Sequence, residues 1–552
     1  MRRKKLLAVF LAILVLFLTS CKETQAKPNT LDNTTSSVSS GSTAAAVISM
    51  LYNSKDSFNP FTCKTAQNRL LTQLMYDTLV VINNNYEAQF SVAESAAYEN
   101  KQITVKLRSL QFSDGASLTA QDVVFSFETA KKSSSSYAAS LKSFSSAKAI
   151  DNVTIQFTLN RHDPYSLNLL TFPIIKYGSD TLRDSDNREL PPIGCGRYVL
   201  NNDEKTLIKN NYHAGSYNVS SIRLIDSPDS ESVNQTVSAG AIDYYFTDLS
   251  DNIIPKMNGK SADIPQSRVV FLGVNPNNSI MSNMYFRQAV SSAINREDIC
   301  NSAFFSKAEA AKGPFSPFWK EVESYQTIEA KPNLNTAVEN LNNAGITKKD
   351  EQGYYLLNNN KRLVLTLLVS SENSSRINAA ELIKKNLNTL GIYVEIKAVT
   401  NEQFKTLVTG NAYDLYLSEV RIENNMDLGG LVKLKSGTAL AQAATSSTSA
   451  SSSAPATSSK PVSSTTSTEG NVASSTVSSN VPVQTITLTT EQAYKGYCDG
   501  VYNIQDLITA YTAELPTIPI CFRSGLVIYS EKLGSGLFPI VSDVFHGIEN
   551  LK

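Results

Sequence analysis

Short stretches with apolar residues at alternate positions recur through the first third of the chain. "ITVKLR" (103–108) and "NVTIQFTL" (152–159) have period two, and "AAVISMLY" (45–52) reads as an earlier strand. Between the first two lies "QFSDGASL", a turn, followed by "TAQDVVFSFETAKK" with helical spacing. "NRLLTQLMYDTLVVI" (68–82) reads as a helix running into a strand. These alternations predict a mixed α/β domain.

A βαβ unit is written more clearly further on. The strand "RLVLTLLVS" (362–370) precedes the helix "SSRINAAELIKKNLNTLG", Gly391 stands where a helix ends, and "IYVEIKAV" (392–399) returns as a second strand. Such a unit implies a parallel pair with a right-handed crossover. Between the two regions, "RVVFLGVN" (268–275) predicts a strand and "MYFRQAVSSAINREDIC" (284–300) an amphipathic helix. Near the end, "YNIQDLITAYTAELPTIPICFRSGLVIYS" (502–530) predicts a helix, a Pro-bracketed strand and a further strand. A chain that leaves one domain through one strand and returns through another has a two-strand hinge.

Two segments break the pattern. The chain opens "MRRKKLLAVFLAILVLFLTSC", four cations, a short apolar run and then small residues before Cys21. The run is too short for a membrane span and reads as an export signal over 1–20. "LTSC" resembles a bacterial lipobox, which implies cleavage and lipid attachment at Cys21, with 21–45 as a polar tether. The Ser/Thr-rich block 441–482 has almost no large apolar side chains and reads as a disordered insertion.

Composition narrows the function. Loss of the leading cations leaves 46 Lys and Arg against 50 Asp and Glu, and no basic tract suggests nucleic acid. Besides Cys21 there are five cysteines, with no CxxC and no His at metal-ligand spacing, so at most two disulfides are expected. Three histidines, no "GxSxG", no "HExxH", no Walker loop and no "GxGxxG" leave no catalytic residues, no metal site and no cofactor to propose. Asp114 and Asp122 lie close together in "QFSDGASLTAQDVVFSFETA", but Asp114 precedes Gly115 in a turn dipeptide and Asp122 follows Thr119 at capping-box spacing. Both are expected to be structural.

Five stretches in order carry a resemblance to a known family. "ITVKLRSLQFSDGASLTAQDVVFSFE", "FNPF" (58–61), "PPIGCGRYVL" (191–200), "FRQAVSSAINREDI" (286–299) and "ELPTIPICF" (514–522) resemble the extracellular solute-binding proteins of family 5. These are the peptide and nickel receptors of ABC importers. The resemblance implies an α/β, two-lobed periplasmic-binding-protein-like clamp (type II, class C) with mixed sheets and a two-strand hinge. It implies lobe I over 46–268 and 522–552, with lobe II over 269–521. It further implies a non-enzymatic monomer, lipid-anchored outside the cell, that passes a peptide to ABC permease subunits. Other solutes (a nickel chelate, an oligosaccharide) and a peptide-sensing role are the alternatives.

Site residues follow from the same resemblance. "YDLYLSEVRIENNMDLGGL" (413–431) sets Glu423 on the carboxylate that faces a peptide ammonium in oligopeptide receptors, with Val420 where the family has an aromatic residue and Asp427 as the alternative acid. "SSYAASLKS" (135–143) resembles the segment carrying a ligand-contacting Tyr, here Tyr137. Cys63, Lys64, Thr65 and Ala66 resemble the backbone edge that pairs with the peptide.

Overall fold

The computed structural model describes residues 46–132, 134–215, 217–250, 253–432 and 488–551. The signal, Cys21, the tether and the Ser/Thr-rich block therefore lie outside the described residues. The alternating segments form strands, as their half-buried pattern requires. Gln102–Leu107 and Thr154–Leu159 pair in an antiparallel sheet ordered Ala93–Glu99, Gln102–Leu107, Thr154–Leu159, Phe144–Ala149. The helix Ala120–Ala130 is buried against it through Phe127, whose ring lies 5.4 Å from that of Phe157 and 5.9 Å from those of Phe144 and Phe172. Edge-on contacts of this kind favour one packing arrangement over others. A second four-stranded sheet joins Ala46–Tyr52 in parallel to Val219–Asp226.

The largest sheet has seven strands. Its path runs Tyr244–Thr247, Thr517–Tyr529, Lys260–Val274, Leu415–Arg421, Val364–Ser370, Tyr393–Val399, with Ala308–Ala310 paired to Thr517–Tyr529. The βαβ unit is present: Val364–Ser370 and Tyr393–Val399 are parallel, joined by the helix Ser374–Leu390, which ends at Gly391 with φ 104°. Only a residue without Cβ takes that conformation cheaply.

Three sequence expectations change in detail. The helix expected over 284–300 is two helices, Met284–Ala293 and Arg296–Ser302, because Asn295 caps a new start by accepting from Asp298 N. The strand expected over 268–275 is the second half of Lys260–Val274. The two strands expected after Pro516 are one, Thr517–Tyr529, and the ladder accommodates Pro519 by a register shift that pairs Val270 with Cys521 and Phe271 with Pro519.

Lys260–Val274 and Thr517–Tyr529 are thus two long antiparallel strands, one outgoing and one returning. Their pairing breaks between Pro265 and Val269. On one side of the break the returning strand is flanked by Tyr244–Thr247; on the other the outgoing strand is flanked by Leu415–Arg421. The C-terminal segment packs back on the first sheets, with Arg197 paired to Asp543 at 2.8 Å and Ser542 Oγ accepting from Ile82 N at 2.6 Å. No helix among the described residues is long and apolar enough to cross a membrane.

Candidate ligand site: an unpaired strand edge and its acids

Strand order locates the site. From Val364–Ser370 the chain crosses to Tyr393–Val399 on one side, and then back to Leu415–Arg421 on the other. Such a switch opens a crevice at the carboxyl ends of the two parallel strands. Their ladder is short, with Leu367 opposite Leu415 and Leu368 opposite Tyr416 only. Among the described residues, Leu417 to Arg421 is paired on one side alone, with Lys260–Val274. An unpaired edge of this length is what an extended peptide can extend.

Buried charge lies at the same end of the sheet. Glu419, with a side chain 6% exposed, is shared between Arg268 and Arg523 at 3.2 Å each, and Arg268 also reaches Asp248 at 2.9 Å. Arg376, in the first turn of Ser374–Leu390, is held below the usual arginine range by burial, with Arg523 and Arg268 adding to the effect and Glu419 opposing it. Its Nε is buried without a hydrogen-bond partner.

Beyond the edge, the chain turns through a loop that meets the antiparallel sheet's side of the cleft. Glu423 is half-buried and accepts from Ser140 Oγ at 2.5 Å. Asn424 O and Tyr86 O both accept from Asn168 Nδ2, and Asn425 Nδ2 donates to Asp163 Oδ2 at 2.6 Å. Asp163 is 2% exposed; burial pushes its carboxyl up to about 6, against the Asn425 bond and the nearby Arg161. Asp427 is bound by Arg161 Nη2 at 2.7 Å, Tyr494 OH at 2.6 Å and Gly429 N at 2.9 Å. Tyr165 OH donates to Glu321 at 2.5 Å, and its ring stands edge-on to Trp319 at 4.9 Å.

The remaining sequence-derived site residues are placed as follows. Tyr137 stands edge-on to Phe61, ring centroids 6.1 Å apart, three residues from the Ser140 that binds Glu423. Cys63 is buried, which pushes its thiol up to about 12. Its N–H donates to Asn59 O, while the N–H groups of Lys64 and Thr65 donate to Asp56. Thr65 caps the helix that Ala66 opens. The amides of 63–65 are therefore committed locally, and the two loop acids have different partners, Ser140 for Glu423 and Arg161 for Asp427. The five described cysteines are unbridged.

Arg161, Asp163, Arg268, Arg376, Tyr494 and Arg523 were not candidates on sequence. The one signal was Glu419, a charge inside the apolar run "LYLSEV". A polar cavity of about 630 Å³, lined by Asn275, Thr366, Glu395, Lys397, Asn411 and Asp414, lies at the opposite end of these strands from the crevice. Among the described residues no group of three or more His, Cys, Asp or Glu is placed to hold a metal ion.

Residues 88–440 match the family model of bacterial extracellular solute-binding proteins, family 5. The chain belongs to this family. As a family 5 member it is a binding protein of transport, not an enzyme. The oligopeptide-binding protein AppA of Bacillus subtilis (strain 168) is 23% identical over 352 residues, 60% of this chain and 64% of AppA. A nickel ABC transporter structure from Bacillus halodurans superposes with TM-score 0.66 at 17% identity, over 92% of this chain and 99% of that one. Bacillus subtilis AppA in complex with a nonapeptide gives TM-score 0.53 at 16% identity, over 91% of this chain and 97% of that one. At these identities the solved structures establish the fold, the two-lobed clamp, and leave the ligand to be argued from the site.

Proposed function

We propose that this family 5 member is the substrate-binding lipoprotein of an ABC importer, taking an extended peptide into the cleft and delivering it to a membrane permease. The observation that carries this reading is the one-sided strand edge Leu417–Arg421 leading into Glu423. Main-chain hydrogen bonds along such an edge recognise a peptide without reading its sequence. Glu423 as the acid for a terminal ammonium is supported by its partner Ser140 Oγ, a neutral hydroxyl that leaves the carboxylate without a resident cation among the described residues. Lobe I is assigned to 46–268 with 522–552, lobe II to 269–521, and closure to bending of the two long strands near their pairing break. Ligand drives closure only through contacts made better in the closed form. Lipid on Cys21 anchors a monomer outside the cell.

Mass spectrometry of what co-purifies with the protein tests the ligand class: peptides are expected, and a defined metal complex or oligosaccharide without peptide rejects the reading. Glu423→Gln should weaken binding of free-amine peptides by about 10-fold or more while sparing N-acetylated ones, measured by calorimetry. Equal losses for both would remove the ammonium from Glu423. Cys21→Ser should move the protein from the membrane fraction to the medium.

A further inference from the structure

The two acids of the cleft loop are held differently. Glu423 meets an uncharged hydroxyl, whereas Asp427 already has a cation. Arg161 follows the strand Thr154–Leu159 of the antiparallel sheet; Asp427 follows Leu415–Arg421 of the seven-stranded sheet. The guanidinium is committed on two sides, Nη2 to Asp427 at 2.7 Å and Nη1 to Tyr494 OH at 2.7 Å and Cys498 Sγ at 3.2 Å. Tyr494 OH closes the ring by donating to the other oxygen of Asp427 at 2.6 Å. The neighbouring backbone adds a bond from His162 N to Cys498 O at 3.0 Å.

We propose that Arg161 is the resident counter-ion of Asp427 and a specificity-determining residue: the pair latches the two lobes together, and Asp427 is thereby withheld from the ligand. A ligand ammonium would have to displace a guanidinium that loses two other partners on leaving. The charge of the ligand is consequently read at Glu423 alone, which is the part of the inference that rests on the binding reading above. The latch itself rests only on Arg161 and Asp427 following strands of different sheets. Contacts that exist only between closed lobes raise the closed fraction of the empty protein, and apparent affinity scales with that fraction.

Trp319 is the only tryptophan in the sequence, is 3% exposed, and touches Tyr165 across the cleft. It is a built-in reporter of opening. In the ligand-free full chain, Arg161→Gln and Asp427→Asn should each red-shift its emission and increase the radius of gyration seen by small-angle scattering. The reversed pair, Arg161→Asp with Asp427→Arg, should restore both, and Tyr494→Phe should give a smaller shift in the same direction. Against a library of random nonapeptides, free or N-acetylated, Asp427→Asn should lose affinity by the same factor, about 10-fold, for both forms, whereas Arg161→Gln, which frees Asp427, should lose less for the free-amine form than for the acetylated one. Unchanged emission and radius in Arg161→Gln, or single-variant shifts that the reversed pair fails to restore, would overturn the latch. Loss confined to free-amine peptides in Asp427→Asn would overturn it too, and would make Asp427 the ammonium site. If no nonapeptide binds, the peptide reading fails while emission and scattering still decide the latch.

Discussion

The strand-turn-helix around 111–130 and the cleft loop around 419–427 each carry closely spaced acids, and the two sets are satisfied in opposite ways. Asp114 accepts from Ala116 N and pairs with Lys176; Asp122 accepts from Thr119 N and Thr119 Oγ, three residues away, and from Tyr177 N. Each therefore takes a bond from within three residues, beside one partner further along, Lys176 at 62 positions and Tyr177 at 55. Glu419 and Glu423 are instead satisfied from far along the chain, Arg523 lying 104 positions from Glu419 and Ser140 283 from Glu423, and Asp427 adds to its local bond from Gly429 N the distant Arg161 and Tyr494. Local satisfaction makes an acid part of its own element. Distant satisfaction makes it report on how two parts of the molecule meet.

That contrast predicts a ranking. The largest effect belongs to Glu419→Ala, which leaves Arg268 and Arg523 buried without their shared carboxylate and should destabilise the fold by about 3 to 5 kcal/mol in urea titration. A loss under about 1 kcal/mol would place Glu419 with the locally satisfied acids. Next comes Asp163. Its folded carboxyl, at about 6, stands above the ordinary unfolded value near 3.8, so its contribution to stability is full below about pH 4 and is lost as pH rises through 6. The difference is on the order of 2 to 3 kcal/mol, and Asp163→Asn should abolish that slope between pH 4 and 6 in thermal unfolding.

Smaller effects lie in the local segment. Asp122→Ala removes the reciprocal half of a capping box and the bond from Tyr177 N, an expected loss of about 1 kcal/mol with ligand affinity unchanged. Asp114→Ala breaks an ion pair whose side chains are each about one-third exposed, and should cost about 0.5 kcal/mol, detectable only as a small shift in the denaturation midpoint. Reduced ligand affinity in either variant would erase the distinction between the two regions.

The same distinction explains what could be read from sequence. The Thr119–Asp122 box, the Asp114–Gly115 turn, where φ of Gly115 is 83°, and the unit from 362 to 399 depend on interactions within a few residues or on simple periodicity, so they were legible. The helix break at Ile294 was missed because the apolar spacing runs on through it, while the cap at Asn295 depends on a single side chain. The merging of 517–529 into one strand was missed because Pro519 reads as a terminator until a partner strand shifts register around it. Glu423 and Asp427 became candidates only through family resemblance. Arg161 carried no signal at all, since nothing in "LNRHDP" marks it as the partner of an acid in another sheet.

The returning strand has a consequence for how the molecule comes into being. The outgoing strand finds its central partner only when Thr517–Tyr529 is present, and Ile82 finds Ser542 460 positions later. Loops of that length close slowly, and the pairings they allow form late. A chain emerging from its N-terminus must therefore keep its first sheets without their final partners until nearly the last residue has emerged. Truncation after the seven-stranded sheet's βαβ unit would yield a species with open edges on both halves, prone to pair with its own copies. Between emergence of Val274 and of Tyr529 the edge of the outgoing strand that Thr517–Tyr529 will cover stays open.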